Sequence, residues 1–195
     1  MKTISRIFAK VGAGVLMAGL VLNFGGCLNN SPVTPEAKSE HTILVFGTGS
    51  PSLKKMIPVS QKVTRKDGGE LIIDYKGLEH NNGNVEVKMT LTVLAGAISR
   101  DAVLQMGLDD QSFLMSFGPH GITFSPPALL NIEARNLDLS GVNPETLTLY
   151  YLDSKTDEWV EMQTAEIIVN QEEGYLKFVD GRIPHFSRYA VAWSN

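Results

Sequence analysis

The histidines and aspartates of this sequence are its first candidates for binding a metal ion. The chain has four histidines: His41, His80, His120 and His185. No two of them have the short spacing typical of zinc ligands. Calcium prefers several oxygens from a glycine-pinned loop with a late glutamate, and neither Asp109-Asp110 nor the loop from Asp153 to Asp157 has that pattern. We therefore predict no metal and no cofactor, and we expect these aspartates to cap turn amides.

Acidic and aromatic side chains could instead serve carbohydrate chemistry. Hydrolysis of a glycosidic bond needs two carboxyl groups at a set separation in a cleft. The candidate carboxylates only decorate predicted hairpins: Glu158, Glu161, Glu172 and Glu173. We therefore predict that the protein is not an enzyme. Aromatic rings could still form a platform for a sugar. The candidates for it are Trp159, Tyr150 and Tyr151, with Trp193. A carbohydrate-binding surface module is thus one alternative function.

The composition is that of an ordinary globular protein. Hydrophobic residues make up 43% and charged residues 19% of the 195 positions. The formal net charge is -4, and three cations (Lys2, Arg6 and Lys10) lie near the N-terminus, so the rest of the chain is more acidic still. Nucleic-acid binding calls for the opposite balance, and no basic stripe is present. We expect no nucleic-acid partner.

The first 26 residues have the pattern of an export signal. A basic start leads into an apolar, glycine-containing run from Val11 to Leu22, which is short for a membrane span. Gly25-Gly26 then precedes Cys27, the single cysteine of the chain. This arrangement is similar to the bacterial lipobox. The resemblance implies cleavage before Cys27, lipid on its sulfur and acylation of the new amine, so 1–26 is the predicted signal peptide.

Residues 27–40 have the composition of a flexible, lipidated tether. They contain Asn29-Asn30-Ser31-Pro32 and Thr34-Pro35-Glu36, with little apolar content. Two or three acyl chains would hold the protein stably at a membrane. Leu28 follows the cysteine, where an aspartate would resemble an inner-membrane retention signal. We predict a lipoprotein of the bacterial cell envelope, anchored at the outer membrane.

The rest of the chain has strand patterns. Apolar residues alternate with polar ones from Val85 to Val93, as in a half-buried strand. Two pairs of segments flank polar turns and predict hairpins: 147–151 with 159–162, and 167–169 with 175–179. We predict an all-β fold, a single antiparallel β-sandwich over 68–195, preceded by an N-terminal extension at 41–67 that can form a first strand.

Four sequence landmarks in this region occur together. They are Gly68-Gly69 before a strand, the Gly-Ala turn in 93–98, the run from Phe117 to Phe124 before Pro126-Pro127, and the terminal run from His185 to Val191. Together they resemble the ZU-five domain, the β-sandwich of ankyrins, netrin receptors and zona-occludens scaffold proteins. The members of this family mostly bind other proteins. The resemblance therefore implies a non-enzymatic protein-interaction domain.

The same resemblance implies a second alternative at His185-Phe186-Ser187. In some ZU-five proteins this tripeptide is where the chain cuts itself. Ser187 would attack the carbonyl of Phe186 to give an ester that water opens, and His185 would assist the proton transfers. Against this, Phe186 and Tyr189 have the character of core residues, and Ser187 that of a strand-entry residue.

Overall fold

The computed structural model describes residues 41–46, 55–80 and 83–194. The predicted signal peptide at 1–26 and the predicted tether at 27–40, including Cys27, lie outside the described residues. The described part contains twelve β-strands. They are β1 His41–Ile43, β2 Met56–Val63, β3 Gly69–His80, β4 Gly83–Val93, β5 Ala102–Asp109, β6 Leu114–Gly118, β7 Thr123–Arg135, β8 Thr148–Asp153, β9 Glu158–Glu161, β10 Glu166–Asn170, β11 Tyr175–His185 and β12 Arg188–Ser194.

The strands form two antiparallel sheets. The first sheet has the order β2-β5-β6-β12-β8-β9, with β1 paired to the end of β12. The second sheet has the order β10-β11-β7-β4-β3. The predicted all-β sandwich is confirmed. The two predicted hairpins are confirmed as well, since β8 pairs with β9 and β10 pairs with β11.

The core lies between the two sheets and follows from the alternation within each strand. In β4 the side chains of Val87, Met89 and Leu91 are buried, whereas Lys88 between them is exposed. Successive side chains of a strand point to opposite faces, so one face of each sheet is apolar. Burying that face provides the main favourable term for folding.

The N-terminal segment belongs to the sandwich instead of preceding it. β1 pairs with β12, and β2 pairs with β5 along its whole length. The sequence boundary at Gly68 therefore falls between two strands of different sheets. β2 is an edge strand, so it tolerates Pro58, and Val63 is its one fully buried side chain. Because of these two features, the sequence of β2 lacks the alternating apolar pattern that identifies a strand.

The chain changes sheets between β11 and β12. β11 lies inside the second sheet, and β12 lies near the middle of the first sheet. Only Phe186 and Ser187 separate the two strands. We call the stretch from His185 to Ser187 the corner. It brings one end of the second sheet beside the turn that joins β8 and β9.

Candidate functional site

The corner is fixed by a hydrogen bond from the first buried side chain of β12. The hydroxyl of Tyr189 donates to the carbonyl oxygen of His185 at 2.6 Å. The Tyr189 ring is fully buried and meets Phe117 edge-on at 5.3 Å. Burial raises the pKa of the Tyr189 hydroxyl above its ordinary value, so this group stays a neutral donor.

Phe186 anchors the corner in the core. Its ring is 5% exposed, stacks on Phe117 at 5.6 Å and meets Phe124 edge-on at 5.0 Å. Its backbone amide donates to the carbonyl oxygen of Ile122 at 3.0 Å. The predicted core character of Phe186 is confirmed. Aromatic contacts of this kind stabilise a core beyond the area that they bury.

Ser187 and His185 have separate partners. The Ser187 hydroxyl donates to the carbonyl oxygen of Leu152 at 2.8 Å, and the His185 ring meets the Tyr151 ring edge-on at 5.0 Å. No hydrogen bond joins His185 to Ser187 among the contacts of the described residues. The structure thus places the predicted self-cleavage residues together at one corner, with each engaged by a neighbouring strand.

A cavity of about 720 Å³ opens beside the corner. We call it the end pocket. Three separate segments line it: residues from 116–121 at the end of β6 and in the turn after it, 151–155 at the end of β8 and in the turn after it, and 185–188 around the corner. The partly buried Tyr151 provides apolar surface, whereas the rings of Phe117 and Phe186 back the cavity from the core. His120, Lys155 and Arg188 are exposed polar groups at the same cavity.

The aspartates of the predicted loops cap backbone amides. Asp153 accepts a hydrogen bond from the backbone amide of Lys155 at 2.8 Å, and Asp109 accepts one from that of Gln111 at 3.0 Å. Asp110 accepts one from the backbone amide of Lys55 at 3.0 Å. The predicted capping is confirmed for these three aspartates. Within the described ranges, no group of three or more His, Cys, Asp or Glu side chains lies close enough to hold a metal ion.

The three aromatic candidates for sugar binding do not lie on one surface. In the hairpin, Trp159 pairs with Leu152, and Tyr151 pairs with Val160. Since paired residues share a face and neighbours alternate, Trp159 and Tyr151 project to opposite faces. Tyr150 is 6% exposed and is covered by the His41 ring at 4.3 Å. Tyr151 alone of the three lines the end pocket.

The outer face of the second sheet carries paired charges. The Lys76 ammonium lies 2.6 Å from the Glu86 carboxylate, and the Arg135 guanidinium lies 2.6 Å from the Glu133 carboxylate. The hydrogen bond between them raises the pKa of Lys76 and lowers that of Glu86. Arg135 also lies over the ring of Tyr175 at 5.1 Å. Lys76 and Arg135 are therefore each paired with a carboxylate on this face.

A second cavity, of about 640 Å³, lies where the chain passes from β9 to β10. Its charged lining residues are Glu161, Asp180 and Arg182, and the buried hydroxyl of Thr164 has no hydrogen-bond partner. Backbone and side-chain bonds tie its walls together: the Arg182 amide donates to the Gln163 carbonyl, and the Asp180 amide to the side-chain oxygen of Asn131. It contains neither a histidine nor an excess of positive charge.

The sequence indicates the corner but not the rest of the end pocket. Lys155 and Arg188 are ordinary residues for a turn and for a strand start, and His120 is about 65 residues from His185 in the chain. No local pattern marks them as neighbours. The available signal was the run of turn residues around Gly118 and Gly121, which predicted a loop without giving its place in the fold.

No protein-family model, curated protein or solved structure matches this chain. The resemblance to the ZU-five domain stays a prediction. In the part of the chain that the structure describes, no helix is long and apolar enough to cross a membrane.

Proposed function

We propose that the protein is an exported, lipid-anchored lipoprotein of the cell envelope whose sandwich binds a protein or a glycan through the end pocket. The observation that carries this proposal is the meeting of three distant segments around one open cavity of about 720 Å³. Binding sites are typically concave and largely apolar, with a few polar groups that orient the ligand. The end pocket combines the partly exposed Tyr151 ring with the exposed cations Lys155 and Arg188 in this way.

The anchor in this proposal is lipid on Cys27, after removal of 1–26. The export pattern of the sequence supports it, because a basic start, a short apolar run and two glycines precede the cysteine. The tether at 27–40 would separate the sandwich from the membrane surface. Leu28, at the position after the cysteine, favours the outer membrane as the place of anchoring.

A binding role without catalysis is supported by the contacts at the corner. Each of its three residues contacts a neighbouring element: the His185 carbonyl receives the Tyr189 hydroxyl, Phe186 fills the core, and Ser187 bonds to Leu152. The residues proposed for self-cleavage therefore have structural roles in packing and hydrogen bonding.

The anchor is tested by the intact mass of the protein extracted in detergent from a bacterial host. We expect a chain from Cys27 to Asn195 with the added mass of the lipid. The Cys27→Ser variant should lose the lipid and leave the membrane fraction. A wild-type mass without lipid, or one that retains 1–26, would contradict the anchor.

The binding surface is tested by photo-crosslinking in the same cells. A photoreactive residue at Ser154, which is exposed at the end pocket, should capture envelope protein or glycan. The matched control is a photoreactive residue at Ile72, which is 47% exposed on the second sheet. Equal capture at both positions, or none at Ser154, would overturn the pocket as the binding site.

Self-cleavage between Phe186 and Ser187 is a second candidate, favoured by the position of Ser187 and His185 in the wall of a solvent-open cavity. The Ser187 hydroxyl oxygen would form an ester bond with the Phe186 carbonyl carbon while the amide bond breaks. The hydroxyl proton would pass to the released Ser187 amine. Water would then hydrolyse the ester and restore the hydroxyl.

This candidate predicts a peptide from Ser187 to Asn195 when the protein is denatured and its mass is measured. Ser187→Ala should abolish the peptide, because the nucleophile is gone, while Ser154→Ala should leave its yield unchanged. An intact chain in every sample would refute the candidate and leave the binding role.

A further inference from the structure

The end pocket concentrates positive charge on an acidic protein. Two permanent cations, Lys155 and Arg188, line it together with the side chains of His120 and His185. The one carboxylate in its lining is Asp153. The formal net charge of the whole chain is -4, so this local excess runs against the overall balance.

The single carboxylate of the pocket is committed to its own turn. One carboxylate oxygen of Asp153 accepts the backbone amide of Lys155 at 2.8 Å, and the Asp153 carbonyl accepts the amide of Asp157 at 2.8 Å. Asp157 has a positive φ of 56°, as a tight turn requires. The role of Asp153 is therefore to shape the loop that carries Lys155.

The cations of the end pocket differ from two cations on the second sheet, which are held in ion pairs. Lys76 and Arg135 each lie 2.6 Å from a carboxylate oxygen. Within the described ranges, no ion pair joins Lys155 or Arg188 to a carboxylate. A cation without an internal partner at the wall of a cavity can bind an external anion without first breaking a bond.

Hydroxyl groups and an aromatic ring complete the surroundings. Ser116 and Ser154 are exposed in the pocket lining, and the partly buried Tyr151 contributes its ring. The hydroxyls can donate to or accept from a polar ligand, and the ring offers apolar area beside them. The hydroxyls and the ring can contact the uncharged part of a small polar molecule, while the cations can bind its negatively charged group.

We infer that the end pocket binds a small polar ligand that carries a carboxylate, as an acidic sugar does, with Lys155 and Arg188 holding the carboxylate. This inference rests on the proposed binding role of the same pocket. It specifies that the ligand is negatively charged, whereas the proposed function does not specify the charge of the ligand.

The test is NMR titration of the full chain, isotopically labelled and kept in nonionic detergent. The probes are glucuronate, glucose and acetate. Glucuronate and glucose share the sugar ring and differ in the carboxylate, while acetate is a carboxylate without the ring. We expect saturable shifts around Lys155 and Arg188 with glucuronate, weaker ones with acetate, and none with glucose.

Two double variants remove the same net charge at different places. Lys155→Gln with Arg188→Gln should weaken glucuronate binding roughly tenfold or more, because both charged contacts are lost. Lys88→Gln with Lys177→Gln changes exposed and partly exposed residues of the second sheet and should leave the affinity unchanged. Raised salt should weaken binding in the wild type.

Three results would overturn the inference: equal shifts with glucose and glucuronate, no saturable shift with glucuronate, or unchanged affinity in the Lys155 and Arg188 double variant. Larger chemical-shift changes with acetate than with glucuronate would indicate a site for free carboxylates. They would overturn the inference that the ligand is an acidic sugar. If the photoreactive residue at Ser154 still captures a partner while glucuronate does not bind, the proposed binding function stands. Only the inference that the ligand carries a carboxylate is then overturned.

Discussion

The hydroxyl of Tyr189 lies 2.6 Å from the carbonyl oxygen of His185, four residues earlier in the chain, and joins the two strands that belong to different sheets. The same device occurs in immunoglobulin-like sandwiches, where a tyrosine near the start of a strand bonds back to the backbone a few residues upstream. Because the ring is fully buried, the bond forms out of contact with bulk water. It fixes the corner from which one wall of the end pocket is built.

Replacing Tyr189 with Phe should destabilise the fold by about 1–3 kcal/mol, because the His185 carbonyl loses its donor while the ring remains. Urea unfolding followed by circular dichroism measures the change. Tyr151→Phe is the matched control, since its hydroxyl makes no hydrogen bond among those of the described residues. Equal losses in the two variants would contradict a specific role for the Tyr189 bond.

Stability should fall as pH rises above about 10. Burial raises the pKa of Tyr189, so the folded protein keeps this proton after the unfolded chain has lost it. The folded state then binds more protons, and the free energy of unfolding decreases with pH. Burial also raises the pKa of Tyr75 and of Tyr150, so these two hydroxyls contribute to the same decrease in stability. Urea unfolding between pH 9 and pH 11 should show a shallower decrease in Tyr189→Phe than in the wild type, and identical slopes would refute this account.

Phe186→Ala should cost about 3–5 kcal/mol, the usual loss for an aromatic side chain deleted from a core. The ring contacts Phe117 and Phe124, and its removal would leave a cavity between the sheets. Phe186→Leu fills most of that space and should cost clearly less. Chemical denaturation distinguishes the two. A small effect of Phe186→Ala would show that the corner contributes little to folding.

Gly68 and Gly96 should respond differently to alanine although both have a positive φ, 73° and 81°. A Cβ atom on Gly68 would clash with the Val93 carbonyl oxygen, whereas one on Gly96 would have no atom within 4 Å. Gly96→Ala should therefore cost only the conformational strain, about 1–2 kcal/mol. Gly68→Ala adds a clash with backbone and should cost more than about 3 kcal/mol. Thermal unfolding of the pair measures the difference, and similar midpoints would contradict it.

Several strands could be predicted from the sequence because their signal is local. Val87, Met89 and Leu91 alternate with polar residues, and a period of two needs no knowledge of the rest of the fold. The hairpin from 148 to 161 was also readable, since polar turn residues separate two apolar runs. β2 was missed because an edge strand buries few side chains and accepts Pro58.

The sequence by itself thus determined the all-β class, the central strands, the two hairpins and the core character of Phe186 and Tyr189. Only the tertiary structure decided the place of β1 and β2, the separation of Trp159 from Tyr151, and the meeting of His120, Lys155 and Arg188 at one cavity. The reason is physical. Burial and alternation are properties of neighbouring residues, whereas a pocket depends on which loops the sheet order brings to the same end of the sandwich.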